Sequence, residues 1–348
     1  MTIDPSGGID PAREFLFASR PDDPEMRESV NAWIWDGTGR LGLPRIGVEA
    51  LAAEWGEREL QCNVAFPDGR AFRLDGGGHA THEPLGPDGR ATHFGGGPLA
   101  FDLVEPFRRW HLTFDGLVHT SSTADQMAGL VPAGAPNVAV RIDLELESAA
   151  PPWENGALLP EARRVLEEQD EGALMGGPRY EQLARARGTV RVGDEEWALD
   201  GGALRIRRQG VRRLGTFRGH VWQSTVFPSG RAFGFIVYPP RDDGLPTYNE
   251  GYLFEPDRGM VPAWVVDAPW LRRLAPRGQD VSVTLATADG EHRITGETVA
   301  SCFRVMGGVG PGTQGFPVLQ QAMSRYVLDG ETAHGMLERS MPGDLVEA

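Results

Sequence analysis

The chain has 348 residues, 34 of them basic and 49 acidic, for a net charge of −15. Every basic residue is arginine, so no amine is available for Schiff-base chemistry and no P-loop lysine exists. The acidic balance argues against nucleic acid and anionic lipid as partners, and no apolar run is long enough for a membrane span.

The length suggests two domains, at roughly 100–200 residues each. The N-terminus lacks a basic stretch followed by an apolar core, so neither a secretory nor a transit peptide is expected. Cys62 and Cys302 form no metal or disulfide pattern and read as free thiols in a reducing cytoplasm. Glycine (46) and proline (27) are abundant, which fits short strands joined by tight turns.

In chain order, Val30–Asp36 is an aromatic strand ended by an Asp-Gly turn. The stretch 48–57 reads as a short helix. Leu60–Phe66 alternates and then turns at Pro67-Asp68-Gly69. Val138–Leu146 alternates apolar and charged residues, as a half-buried antiparallel strand does. Pro160–Asp170 is the best helix, with Pro160 in its first turn and Ala162, Val165 and Leu166 on one face. Further strands are expected at Gly188–Val192, Ala203–Arg207, Ala232–Tyr238, Val281–Leu285 and Ser324–Leu328. Nine Asp-Gly steps punctuate the chain and point to an all-β meander or barrel. Phe66-Pro67-Asp68-Gly69-Arg70-Ala71-Phe72 is nearly repeated by Phe227-Pro228-Ser229-Gly230-Arg231-Ala232-Phe233, which suggests two related halves. A weaker echo links Arg109–Gly116 with Arg325–Gly330.

Two motifs match chemistry only formally. Gly310-Pro311-Gly312-Thr313-Gln314-Gly315 has the spacing of a dinucleotide loop but lacks the βαβ context, so it reads as a flexible loop over a pocket. His79, His82 and His93 could supply three imidazoles to a metal, but their glycine- and proline-rich surroundings favour a plain loop. His111 neighbours Trp110 on a probable strand; one of the two faces inward, and a core histidine is expected.

The strongest site candidate is Phe217-Arg218-Gly219-His220-Val221-Trp222-Gln223. An extended backbone puts Arg218, His220 and Trp222 on one face, expected to be a barrel interior. Together they offer an anion fork, a proton-transfer group and an aromatic wall. Tyr248, Glu250 and Tyr252 likewise share a face, and a carboxyl in an apolar pocket suits a general acid.

Gly177-Pro178-Arg179-Tyr180-Glu181-Gln182, Gly188, Asp200-Gly201 and Arg218–Trp222 resemble the second half of a two-domain lipocalin-like family. It includes carotenoid 1,2-hydratases (hydroxyneurosporene synthases) and AttH-like proteins; fungal decalin-forming Diels–Alderases look similar in architecture. Glu28-Ser29-Val30 through Trp110 and Asp115-Gly116 resemble the family's first half, and Asp329–Glu338 resembles its closing strand. The family usually carries Arg-Asp-His-Ser-Trp-Gly; here Gly219, Val221 and Gln223 replace its Asp, Ser and Gly. In the hydratases a Tyr and an acidic residue some thirty positions later complete the proton donor, which would match Tyr248 and Glu250.

The resemblance implies tandem lipocalin-like β domains, residues 1–175 and 176–348, with an apolar pocket near their contact. It implies a cytoplasmic, cofactor-independent acid–base enzyme, a hydro-lyase, isomerase or cyclase, acting on an isoprenoid, polycyclic or aromatic molecule. His220, Glu250 and Tyr248 are the expected catalytic residues. Arg218, Trp222, Tyr252, Trp33, His93, His111, Trp110 and Arg304 are expected to bind substrate. No bound metal is expected, and a homodimer is possible. Two alternatives stay open: a non-catalytic carrier of a hydrophobic ligand, and a metal enzyme using His79, His82 and His93.

Overall fold

The computed structural model describes residues 4–74, 78–81 (backbone only), 85–130, 136–169, 174, 177–213 and 217–347. The first half contains β1 (Met26–Asp36), β2 (Gly42–Leu51), β3 (Glu57–Ala65), β4 (Arg70–Arg73), β5 (Gly78–Thr81), β6 (His93–Gly96), β7 (Leu99–Glu105), β8 (Arg109–Ser122), β9 (Asn137–Ser148) and β10 (Trp153–Glu154). Two helices interrupt it, α1 (Thr123–Met127) and α2 (Pro160–Glu168). Then come β11 (Arg179–Val192), β12 (Glu195–Val211), β13 (His220–Val226), β14 (Ala232–Val237), β15 (Asn249–Glu255), β16 (Gly259–Asp267), β17 (Val283–Thr287), β18 (Gly290–Arg304), β19 (Val318–Leu328) and β20 (Glu331–Met341).

These strands form two antiparallel eight-stranded barrels in tandem. In the first, β9 pairs with both β8 and β11, which closes the ring β1–β2–β3–β4–β8–β9–β11–β12. The second is an up-and-down meander from β13 to β20, closed where β20 pairs with β13. Closure removes the unpaired edges that an open sheet would expose.

The pairing also fixes where one barrel ends. β11 and β12 lie C-terminal to the division expected at 175/176, yet they complete the first barrel against β9 and β1. The chain crosses to the second barrel only after Val211. Nor does 48–57 form a helix. Val48 and Ala50 are buried in β2, which pairs with β1 and β3, and only Ala52–Glu54 makes a 3₁₀ turn. Alternation between two partner strands overrides local helix propensity there. The longer helix does form, as α2.

β9 behaves as its alternation predicts, with Ile142, Leu144 and Leu146 buried and Arg141, Asp143 and Glu145 exposed. β1 is buried on both faces. Val30, Ala32 and Ile34 join the interior of the first barrel, while Trp33 and Trp35 join a second cluster between the barrels. That second cluster includes Leu204, Ile206, Trp222, Ile236, Tyr248 and Met336. A closed barrel can bury its outer face only against another body, so the continuous apolar run of β1 marks the inter-barrel contact.

The sequence echo at Phe66 and Phe227 marks two hairpin turns built alike. Phe66 N donates to Arg70 O, as Phe227 N donates to Arg231 O. Gly69 and Gly230 close the two hairpins at φ +92° and +88°. Asp115-Gly116 and Asp200-Gly201, by contrast, continue their strands and make no turn.

Candidate functional site

A cleft of about 390 Å³ opens between the barrels. One wall comes from β1, β2 and β12; the other comes from β13, β14 and β20. Val221 points into the second barrel, so its neighbours His220 and Trp222 point out of it, toward the first barrel. The face expected inside a barrel is therefore the outer face that forms the cleft.

The antiparallel register of β13 with β20 sets His220 opposite Ser340 and Trp222 opposite Glu338. His220 Nδ1 lies 2.8 Å from Ser340 Oγ, and its Nε2 lies 3.2 Å from Glu338 Oε1. Gln321, opposite Glu338 on β19, donates to Glu338 Oε2 at 2.6 Å. Asn63 of the first barrel donates to Gln321 Oε1 at 3.3 Å, tying the pair across the interface. Burial alone would raise the Glu338 carboxyl. The His220 hydrogen bond and charge, Arg45 and Gln321 outweigh it and pull it down to about 2. The pair is thus a carboxylate held beside an imidazole at the edge of a cavity.

Trp33 and Trp222 meet edge to face, with ring centroids 4.6 Å apart, and wall the cleft. Trp222 Nε1 donates to Glu181 Oε2 at 2.8 Å, and the Arg179 guanidinium sits 4.9 Å over the Trp222 ring. Phe217 and Phe316 stack at the rim, 5.6 Å apart. Met306 and Phe316, on either side of the Gly310–Gly315 loop, line the cleft, whereas the loop residues themselves do not.

Gly219 explains a departure from the family motif. Its φ is +106°, and a Cβ there would stand 2.3 Å from Ser340 O. The acidic residue usual before the histidine has no room in this backbone.

Of the expected site residues, His220, Trp222, Trp33 and Arg304 line the cleft. Tyr248, Glu250 and Tyr252 share a face, as the alternation requires, but do not line it. Glu250 is fully buried and accepts five hydrogen bonds, from Trp153 Nε1, Gly156 N, Leu158 N, Leu159 N and Tyr248 Oη, at 2.6–2.9 Å. It clamps the segment entering α2 onto the second barrel, and both its oxygens are committed to the scaffold. Burial and then the Glu250 charge push the Tyr248 phenol well up. Tyr252 packs edge-on against Trp153 and over Gly234.

The remaining residues lie elsewhere. Arg218 donates to the carbonyls of Pro239 and Pro240. Trp110 is the inward member of its pair, inside the first barrel, where its Nε1 donates to buried Glu14. His111 faces outward and pairs with Asp143 at 2.8 Å, so it is not a core histidine. His93 pairs with Asp102 at 2.7 Å on the β6–β7 hairpin. The side chains of His79 and His82 lie outside the described residues. Among the described residues no three His, Cys, Asp or Glu side chains converge as metal ligands.

Sequence reasoning passed over Glu338, Gln321, Arg45, Arg208 and Arg212. Glu338 closes the Asp329–Glu338 stretch that carries part of the family resemblance, but only the β13–β20 register shows that it meets His220.

Residues 10–342 match a family model described as a domain of unknown function, DUF7064. The chain belongs to the DUF7064 family. No curated protein matches it in sequence. Among solved structures, this DUF7064 member is similar to a protein assigned as AttH from Nitrosomonas europaea. The identity is 13%, over 94% of this chain and 98% of the other, with a TM-score of 0.53. Also similar are CghA with Sch210972 (12% identity, 92% and 89% covered, TM-score 0.49) and kievitone hydratase from Nectria haematococca (10% identity, 95% and 94% covered, TM-score 0.46). At such identities the likeness is one of fold, and that fold is the AttH-like, lipocalin-type tandem barrel.

Proposed function

We propose that this DUF7064 member is a cofactor-independent acid–base enzyme that works on a largely apolar small molecule in the inter-barrel cleft. The observation that carries this reading is the His220–Glu338 pair, set against the two edge-to-face indoles Trp33 and Trp222. A carboxylate kept ionised beside an imidazole orients the ring and stabilises the imidazolium that forms when the ring takes a proton from the substrate and later returns it. Gln321 and Ser340 fix the carboxylate and the imidazole by holding Glu338 Oε2 and His220 Nδ1. The indole faces would stabilise positive charge developing on an unsaturated substrate. Hydration, dehydration, isomerisation and cyclisation all fit such a site. The proton-transfer group of this reading is therefore His220, with Glu338 as its carboxylate partner, and the part suggested for Glu250 falls to that pair.

The test is differential metabolite profiling of an apolar extract incubated with wild type, Glu338→Gln and His220→Asn. The expected result is a mass-neutral rearrangement, or gain or loss of one water, that appears with wild type and slows roughly 10²–10⁴-fold in both variants. Identical profiles for folded wild type and both variants refute the enzyme reading and favour a carrier.

A further inference from the structure

The cleft has a second chemical character that acid–base work on an apolar substrate does not need. In a chain of net charge −15, six arginines line this one cavity: Arg27, Arg45, Arg179, Arg208, Arg212 and Arg304. Among the described residues, three carboxylates line it with them, Glu49, Glu59 and Glu338. Glu181 stands behind Arg179 at 2.8 Å, so arginine still exceeds carboxylate by two. The excess is concentrated on the first-barrel wall. Arg208 is 5% exposed and has Arg212, Arg179 and Arg45 as cationic neighbours and Glu49 as an acidic one. Glu49 is itself shared, at 2.5 Å from Arg27 and 4.0 Å from Arg208. Crowding like charges in a desolvated cleft costs free energy unless an anion arrives to offset it. Consistent with that, burial first and then the neighbouring arginines pull the Arg208 guanidinium well below its ordinary range.

The backbone points the same way. Arg45 has φ +75°, the left-handed region, within the irregular stretch where β2 slips register against both β1 and β3. A non-glycine residue there is strained, and such strain gathers where a side chain must be aimed. The bulge puts Arg45 5.9 Å from the centroid of the Trp33 ring, with its Nε donating to Asn31. Cationic and aromatic walls therefore meet at one place.

We infer that the cleft takes an amphipathic small molecule whose oxyanion head, a carboxylate or phosphate, docks against Arg45, Arg208 and Arg212 while its apolar body lies on Trp33 and Trp222. The inference rests on the reading of the cleft as the substrate site and adds the class of substrate. Guanidinium forks suit either head group, since both present paired oxygens.

The test uses two fluorescent probes that share one aromatic frame, 8-anilinonaphthalene-1-sulfonate and the uncharged N-phenyl-1-naphthylamine. The sulfonate should bind roughly tenfold tighter, and salt should weaken it selectively. Arg45→Gly removes the guanidinium and relieves the strained backbone, so it should melt no lower than wild type while losing roughly tenfold in sulfonate affinity. Arg212→Gln should do the same to the probe. Displacement of the sulfonate by decanoate, by decyl phosphate or by both supports the inference and reads out the preferred head. Equal displacement by decanol, or sulfonate affinity unchanged in both arginine variants, overturns it. Trp222→Ala separates the two readings. If it weakens both probes while the arginine variants weaken neither, the cleft remains the ligand site and only the anionic head is lost. If it weakens neither, both readings fall.

Discussion

Glu250 and Glu338 make an instructive pair. Both are buried carboxylates on second-barrel strands, and both face the first barrel. Glu250 accepts five donors, three of them backbone N–H groups of the segment leading into α2. No lone pair is left for a substrate, and Glu250 does not line the cleft. Glu338 meets one imidazole and one amide and lines a cleft. The same side chain is a fastener in one place and a buried group facing a cavity in the other. Burial does not distinguish them. What distinguishes them is whether the hydrogen-bond inventory closes on the protein itself.

The largest effect expected from this contrast is on stability. Glu250→Ala strands the N–H groups of Gly156, Leu158 and Leu159 together with Trp153 Nε1. Removing one partner from a buried charged network costs on the order of 3–5 kcal/mol. Urea titration should show that loss, with α2 and its connection becoming accessible to protease. Glu338→Gln keeps size and one acceptor, so its midpoint should fall far less. Equal losses in the two variants would erase the distinction drawn here.

Much of this was legible in the sequence. Alternation, Asp-Gly turns and the Phe66/Phe227 echo gave tandem β-barrels, and the resemblance gave their lipocalin-like type. The Arg218–Trp222 stretch gave two of the cleft residues, because alternation places His220 and Trp222 on one face whatever the fold. What that pattern could not give was which side of the barrel wall the face occupies, since inside and outside are both buried when two barrels pack together. Nor could it give partners across strands. Glu338 reaches His220 through a register spanning 118 residues of chain, set by closure of the second barrel. Glu250 looked catalytic because a carboxyl in an apolar pocket suits a general acid, and four of its five donors come from residues about ninety positions away. The boundary at 175/176 missed for a like reason. β11 and β12 follow a linker-like stretch, but long-range pairing with β9 and β1 returns them to the first barrel.

A middle-sized effect should appear with acid. The folded-state carboxyl of Glu338 is pulled to about 2, below its ordinary value of 4.5. A lowered folded-state value means that its stabilising contribution is complete above the unfolded value and is lost as the pH falls through the folded one. Wild type should therefore lose stability relative to Glu338→Gln between about pH 4.5 and 2, and the two should run parallel from pH 5 to 7. Denaturant midpoints measured across that range check the sign. Parallel curves throughout would mean that the His220–Glu338 pair is not ionised as described.

The smallest effect separates the cleft histidine from its surface counterparts. His93 and His111 each sit 2.7–2.8 Å from an aspartate, so by geometry alone they look more like proton-transfer pairs than His220 does at 3.2 Å. Both, however, are partly open to water and face away from the cleft, with side chains 25% and 37% exposed against 10% for His220. Water screens such surface pairs, which contribute about 0–1 kcal/mol. His93→Ala and His111→Ala should therefore leave melting within a degree or two of wild type, and probe binding and turnover unchanged. His220→Asn should melt lower than either, because it removes the partner that holds buried Glu338 ionised, and should slow turnover roughly 10²–10⁴-fold while still folding. A matching loss of turnover in either surface variant would show that short His–carboxylate distances alone predict the reactive group, and that facing the cleft does not.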